Sequence, residues 1–119
     1  MWRVEVTREF REWFSTLDDI AGDAVGSAID VLIDRGPALG RPRVDRIKGS
    51  AWHHMKELRV SAGRRKLRVL FAFDPRGVAM LLLGGDKSGM WREWYVAAIP
   101  VADAIYERHL EDLRREDER

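Results

Sequence analysis

Between residues 54 and 83 three apolar-rich segments follow one another with only turn chemistry between them. This run constrains the chain more than any other feature. Residues 54–60 alternate in polarity, residues 66–74 alternate, and residues 78–83 are almost continuously apolar. Ser61-Ala62-Gly63 and Pro75-Arg76-Gly77 separate them. Glycine supplies the positive φ of a tight turn, and proline presets the φ of its first corner. Two consecutive antiparallel hairpins are predicted. In the middle strand Leu67, Val69, Phe71 and Phe73 share one face, with Lys66 and Arg68 on the other. Met80-Leu81-Leu82-Leu83 reads as buried on both sides, hence central or covered.

The flanks supply helices. Trp2, Val4 and Val6 alternate with Arg3 and Glu5, a short strand over residues 2–6. Thr7 offers an N-cap oxygen and Glu9 suits the first turn, ahead of a stripe of Phe10, Trp13, Phe14 and Leu17. Asp18 or Asp19 caps a second helix whose stripe is Ile20, Ala24, Val25, Ala28, Ile29, Leu32 and Ile33. Gly36-Pro37 stops it. Gly22 and Gly26 within it read either as a close-packing face or as tolerated glycines. Residues 37–52, rich in Pro, Gly and Arg, read as a loop. After Gly84-Gly85-Asp86-Lys87 comes a Trp-rich turn or short helix. Pro100 then suits the first turn of a last helix bearing Ala102, Ile105, Tyr106, His109, Leu110 and Leu113, with a charged end that frays. The order is strand, two helices, three-stranded meander, helix: an α+β layer in one domain over residues 1–119. The helices are expected on one face of the sheet. The other face, with Arg59, Arg68 and Lys87, is expected to be polar and basic.

At 45% apolar and 34% charged residues, 119 residues can bury a core without a staple. There is no cysteine, which excludes a disulfide framework, a thiolate metal site and a thiol nucleophile, and fits a reducing cytoplasm. No apolar run is long enough to span a membrane, and no signal peptide is recognisable. Net charge is only +1, but it is unevenly spread. Residues 41–76 carry eleven basic and three acidic side chains, while both flanks are acidic. Such a block could hold a polyanion or could be a solvated sheet face.

Several short patterns then fall in a recognisable order. They are Lys48-Gly49 before the second strand, Glu57-Leu58-Arg59 within it, Arg68-Val69-Leu70-Phe71 in the third and Gly85-Asp86-Lys87 after the fourth, with Trp94-Tyr95 and Ala102-Asp103 beyond. In this order and spacing, over nearly the whole chain, the sequence resembles the RelE/HigB toxins, and most of all their phage-derived HigB-like branch. The resemblance implies a RelE-like fold and the toxin of a type II toxin–antitoxin pair that cuts messenger RNA on the translating ribosome. The implied partners are a helix-turn-helix (HigA-like) antitoxin, the ribosome and its message, and operator DNA only through the antitoxin. No cofactor and no metal are implied. ParE-type gyrase inhibitors share this fold, so a gyrase inhibitor or a non-cleaving, antitoxin-bound co-repressor is the alternative.

Metal-free RNA cleavage needs a base for the 2′-hydroxyl, cations for the crowded phosphorane and an acid for the leaving 5′-oxygen. The resemblance puts Arg68 and Lys87 at phosphate-stabilising positions. Independently, Glu57 and Arg59 share strand parity and would face Arg68 if Leu58 and Val60 face the helices. Glu57 is then either a base or one half of a structural ion pair with Arg59. The second-strand lysines of RelE itself are missing: Met55 and Glu57 stand at those positions and Lys56 has the opposite parity. His53 and His54 are either substitutes, with His54 a base or acid, or rim histidines. Adjacent strand residues point to opposite faces, so the pair is a poor metal site. Tyr95 could donate a proton or orient phosphate. Trp91 and Trp94 could stack a base or close the sheet end as core. Arg64 and Arg65 at a hairpin tip, and Lys48, Arg41, Arg43 and Arg46 in the long loop, would add docking charge for RNA, as would Lys56. His109 falls on the apolar stripe of the last helix, as a core or interface histidine. Truncating Arg68 is expected to leave the fold intact.

Overall fold

One hydroxyl ends the first strand and starts the first helix. Thr7 Oγ accepts the Phe10 amide at 3.0 Å and donates to the Leu82 carbonyl at 2.7 Å, so the cap also ties the helix to the sheet. In the computed structural model, which describes residues 1–119, β1 is Val4–Val6, α1 Arg8–Phe14 and α2 Asp19–Arg35. Asp18 is the second N-cap, accepting the Ala21 amide at 2.9 Å. Gly36 ends α2 with a φ of 58°, as a left-handed stop requires. A helix beginning at Asp19 brings Ala21, Val25 and Leu32 inward. Ile20, expected on the stripe, is 68% exposed. Gly22 and Gly26 are tolerated glycines: a Cβ would meet Phe14 only at 4.0 Å in the first case and nothing in the second.

The meander is present as β3 (Lys56–Ala62), β4 (Arg65–Phe73) and β5 (Ala79–Asp86). The five-stranded sheet has the order β1-β5-β4-β3-β2, with β1 parallel to β5 and the remaining pairs antiparallel. The apolar run in β5 is central, as expected, with Leu81 and Leu82 fully buried. The edge strand β2 (Val44–Arg46) lies within the segment expected to be loop. Its pairing with β3 is carried by backbone hydrogen bonds, which leave little trace in three residues of sequence.

The last helix differs from expectation in length and in placement. α3 runs unbroken from Trp91 to Asp117, with Pro100 inside it. A proline there cannot donate to the carbonyl four residues back. Both Pro100 and Val96 are exposed, so the freed carbonyl lies on the solvent side. The helix also packs on the face opposite α1 and α2. One core joins Phe10, Ala21, Val25 and Leu32 to Leu58, Val60, Leu67, Val69 and Phe71. A second joins Ala98, Ala102, Ile105 and Tyr106 to Met55, Leu70, Ala72, Met80 and Leu82. The sheet is therefore covered on both faces, and only part of the expected open basic face remains as a cleft beside the start of α3.

Candidate functional site

Leu58 and Val60 enter the α1/α2 core, so alternation turns Glu57 and Arg59 toward α3. Arg59 and Arg68 are direct cross-strand partners in the β3–β4 register. Like charges in that position repel. Glu57 resolves the conflict. Its Oε2 accepts Arg59 Nε at 3.1 Å, and its Oε1 lies 3.6 Å from Arg68 Nε. The Tyr95 hydroxyl, from the second turn of α3, donates to the same Oε1. Arg59 reaches on to Asp45 of β2 at 3.1 Å. Glu57 and Arg59 thus form an ion pair within β3. The carboxylate also touches Arg68 and Tyr95, which the pair alone would not require.

Arg68 is less exposed than expected, at 8%. One of its terminal nitrogens donates to the Leu67 carbonyl at 2.8 Å, whereas its buried Nε has no hydrogen-bond partner. At 3.6 Å the carboxylate neutralises charge but does not complete a hydrogen bond. A buried guanidinium N–H left unpaired seeks an anion. Truncating Arg68 would strip Glu57 of a buried counter-charge, so a cost to stability is expected where the sequence suggested none.

Lys87 follows β5. Its ammonium lies 5.4 Å from the Tyr95 ring centroid and 5.8 Å from that of Trp91. Burial, and next the positive charge of Arg68, hold its pKa below the usual lysine range, against the pull of Glu57. Tyr95 shifts the other way. Burial, then its bond to Glu57, push the phenol up to about 12, with Arg68 opposing. At neutral pH Tyr95 keeps its proton and Lys87 is a readier acid than a free lysine.

Arg46, Ile47, Lys48, Glu57, Arg59, Lys87, Trp91, Tyr95 and Ile99 line a cleft of about 350 Å³ over this cluster. Its outer wall is the loop between β2 and β3, held by a residue whose role the sequence did not reveal. Asp103 of α3 accepts the Ser50 hydroxyl and, at 2.8 Å, the Ala51 amide. No local pattern announces a tether between positions 53 apart. The two tryptophans differ in burial. Trp94 is half-buried over Gly85, where an added Cβ would lie 2.2 Å from its Nε1. Trp91 is 51% exposed at the mouth.

Other sequence candidates lie elsewhere. His54 sits in the turn before β3, not in the strand, and its Nε2 is 3.1 Å from the Tyr106 hydroxyl. Burial, with the charges of His53 and Lys56, holds its pKa below the usual histidine range. It does not line the cleft. Lys56 has the opposite parity to Glu57 and lies over the Phe73 ring at 5.5 Å, so it too is outside the cleft. Arg64 is exposed at the hairpin tip, while Arg65 pairs with the α2 cap Asp18 at 3.0 Å. His109 contacts buried Asp74 at 2.8 Å, tying α3 to the turn after β4.

Comparison with known proteins agrees with this architecture. A solved RelE–RelB complex from Pyrococcus horikoshii OT3 contains a chain that superposes with a TM-score of 0.53 at 15% identity, over 74% of this chain and 97% of that one. The fold is therefore RelE-like. The family described as "Phage derived protein Gp49-like (DUF891)" matches residues 12–107, and the chain belongs to that family. Two relatives come from Mycobacterium tuberculosis (strain ATCC 25618 / H37Rv). The candidate toxin HigB3 is 48% identical over 102 residues, 86% of this chain and 88% of HigB3. The candidate toxin HigB2 is 44% identical over 110 residues, 92% of this chain but 54% of the longer HigB2. The RelE/HigB resemblance and the α+β fold class read from the sequence both stand. No helix is long and apolar enough to cross a membrane.

Proposed function

We propose that this protein is the toxin of a type II toxin–antitoxin pair and cuts messenger RNA on the translating ribosome. The observation that carries the reading is the cleft where Lys87, Arg59, Lys48 and Arg46 converge on the Glu57 carboxylate and the protonated Tyr95 phenol, with the Arg68 guanidinium buried behind Glu57. A phosphodiester in this cleft would meet the Lys87 ammonium directly and the Arg68 charge from behind Glu57. The kinship with HigB2 and HigB3 supports the toxin role, and the RelE–RelB complex supports an antitoxin partner, taken here to be HigA-like.

In this mechanism the 2′-hydroxyl oxygen attacks the adjacent phosphorus. Its proton passes to the Tyr95 oxygen as the Tyr95 proton moves to Glu57. Arg68 and Lys87 bear the charge of the phosphorane. The bond to the 5′-oxygen breaks, and Lys87 supplies that oxygen with a proton, leaving a 2′,3′-cyclic phosphate and a 5′-hydroxyl. Arg59 holds Glu57 in place. Lys48 and Arg46 contribute docking charge at the rim, and Arg64 does so at the hairpin tip. His54 acts through packing on Tyr106 rather than by proton transfer.

One observation favours the alternative of a non-cleaving binding module: Glu57 already accepts from Arg59 and Tyr95 and balances the charge of Arg68. Primer extension on cellular messages after brief induction without antitoxin separates the two. Lys87→Ala is the control, because that side chain lies on a turn and leaves no core cavity. New 5′ ends inside translated frames, absent in the control, are expected. Intact messages with growth arrest would turn the reading toward gyrase. Intact messages with normal growth would leave the binding module.

A further inference from the structure

Asp103 lines no part of the cleft, yet it holds the outer wall in place. Tyr95, Ile99 and Asp103 stand along one stripe of α3, four residues apart. Tyr95 reaches Glu57, Ile99 lines the cleft, and Asp103 fastens the loop between β2 and β3. One carboxylate oxygen of Asp103 accepts the Ser50 hydroxyl, and the other accepts the Ala51 amide at 2.8 Å. The Ser50 oxygen in turn accepts the Trp52 amide at 2.9 Å. Beyond this point the loop is packed. Trp52 stands edge-on to the Tyr106 ring at 5.3 Å, and Arg46 donates to the His53 carbonyl at 2.9 Å. Ahead of it only Lys48-Gly49 separate Ser50 from Ile47, whose amide donates to the Met55 carbonyl at 2.9 Å. Both linking residues are exposed. Gly49 has a φ of 93°, and nothing lies within 4 Å of where its Cβ would stand. The Asp103 latch is therefore what fixes the backbone on the far side of the rim cation Lys48.

We infer that Asp103 is a positioning residue for substrate binding: it presents Lys48 to the RNA backbone without touching RNA itself. The inference rests on reading the cleft as an RNA site and deepens it. A lysine on a fixed backbone loses less entropy on meeting a phosphate than one on a loose loop. Asp103 also carries an opposing effect. Its negative charge near a cleft that binds a polyanion disfavours that polyanion. Replacing it by alanine removes the repulsion, so charge alone predicts tighter binding. Loss of the latch predicts weaker binding. The two accounts differ in sign, and the latch is the one expected to prevail, because the carboxylate faces its loop donors and not the cleft.

The test titrates a short single-stranded RNA oligonucleotide against the full chain over a range of salt concentrations. Lys48→Ala should weaken binding and lower the slope of log affinity on log salt by about 0.7, the value of one phosphate contact on a single strand. Asp103→Ala should also weaken binding, despite the gain in net positive charge, and remove most of the same slope. In the Asp103→Ala background Lys48→Ala should then change little, so that the two losses do not add. Asp103→Asn, whose carboxamide oxygen can still accept from Ser50, should recover part of the loss. If Asp103→Ala does not fold, the cycle is run with Ser50→Ala, which keeps the Ala51 bond. In a reconstituted translation reaction the latch variant should raise KM and leave kcat unchanged. Binding as tight as wild type or tighter, fully additive losses, or a loss confined to kcat overturns the inference. Message cleavage with additive losses keeps the ribonuclease and sinks the positioning role. Non-additive losses without message cleavage do the reverse, and a wild type that neither binds nor cleaves RNA sinks both.

Discussion

The Tyr95 hydroxyl donates to the Glu57 carboxylate across 38 positions of sequence, joining the start of α3 to the start of β3. The contact sets the distance between the helix and the sheet where the cleft opens. It also supplies the one protonated oxygen beside the carboxylate. Tyr95→Phe removes that proton and leaves the buried oxygen one donor short. Stability should fall by about 1–2 kcal/mol. Message cleavage in a reconstituted translation reaction should fall by roughly a hundredfold or more. Full cleavage in a stably folded Tyr95→Phe protein would remove the phenol from the proton path.

Glu57 should matter to folding before it matters to chemistry. Glu57→Ala leaves Arg59 and Arg68 facing each other across the strand pair with nothing between them. Losing one partner of a buried ion pair costs about 3–5 kcal/mol, and Arg68→Ala should cost a similar amount from the other side. Urea unfolding would read both as a lower midpoint at unchanged slope. A midpoint within error of the wild type for either variant would show that the cluster is a functional ornament on an indifferent scaffold.

Gly85→Ala tests the wall. An added methyl would sit 2.2 Å from the Trp94 indole, so the ring must move. Overpacking of this kind costs about 1–3 kcal/mol. A changed tryptophan emission spectrum together with weakened cleavage is expected, although no cleft cation has been altered. An unchanged spectrum at wild-type stability would mean that the ring is looser than its packing suggests.

Asp74 makes the fold acid-sensitive. Burial pushes its pKa up, but hydrogen bonds from Arg76, His109 and the Arg76 and Val78 amides outweigh this, and the carboxyl lies below the usual aspartate range. A carboxyl depressed in the folded state contributes stability that is fully present above its unfolded value, near 3.8. That contribution is lost as pH falls through the lower folded value. Thermal melts taken from neutral pH down to about pH 3 should show the loss at the acid end. Arg76→Ala should lower stability at neutral pH and shrink the acid-dependent loss, since the folded value then moves back toward the unfolded one. The same acid profile in Arg76→Ala and wild type would assign the effect to other carboxylates.

Much of this was readable from residue order. The caps at Thr7 and Asp18, the turns at Gly63 and Gly77 and the parity of Glu57 with Arg59 all follow from local rules, and the structure obeys them. What the sequence obscured was long-range. β2 is held by an edge ladder of three residues. Pro100 resembles a helix start because nothing local reveals that its side of α3 faces water. The burial of Arg68 depends on α3 crossing the second face of the sheet. The continuous run in β5 hinted at that cover without saying which helix supplied it. Tyr95 was a candidate from residue order, but its bond to Glu57 depends on α3 beginning at Trp91. His54 and Lys56 dropped out of the cleft, one because the strand starts later than its alternation suggested, the other by parity.

At Gly84 and Gly85 the sheet carries no side chain. Trp13 lies against the first and Trp94 against the second, from opposite faces. Between the N-terminal helix and the cleft wall there is, at that point, only one thickness of peptide. The position of the wall is therefore inherited through the backbone. A lineage could exchange its cations, and with them its choice of substrate, while the architecture around them stayed put. A single methyl group at either glycine would be felt at once in both layers.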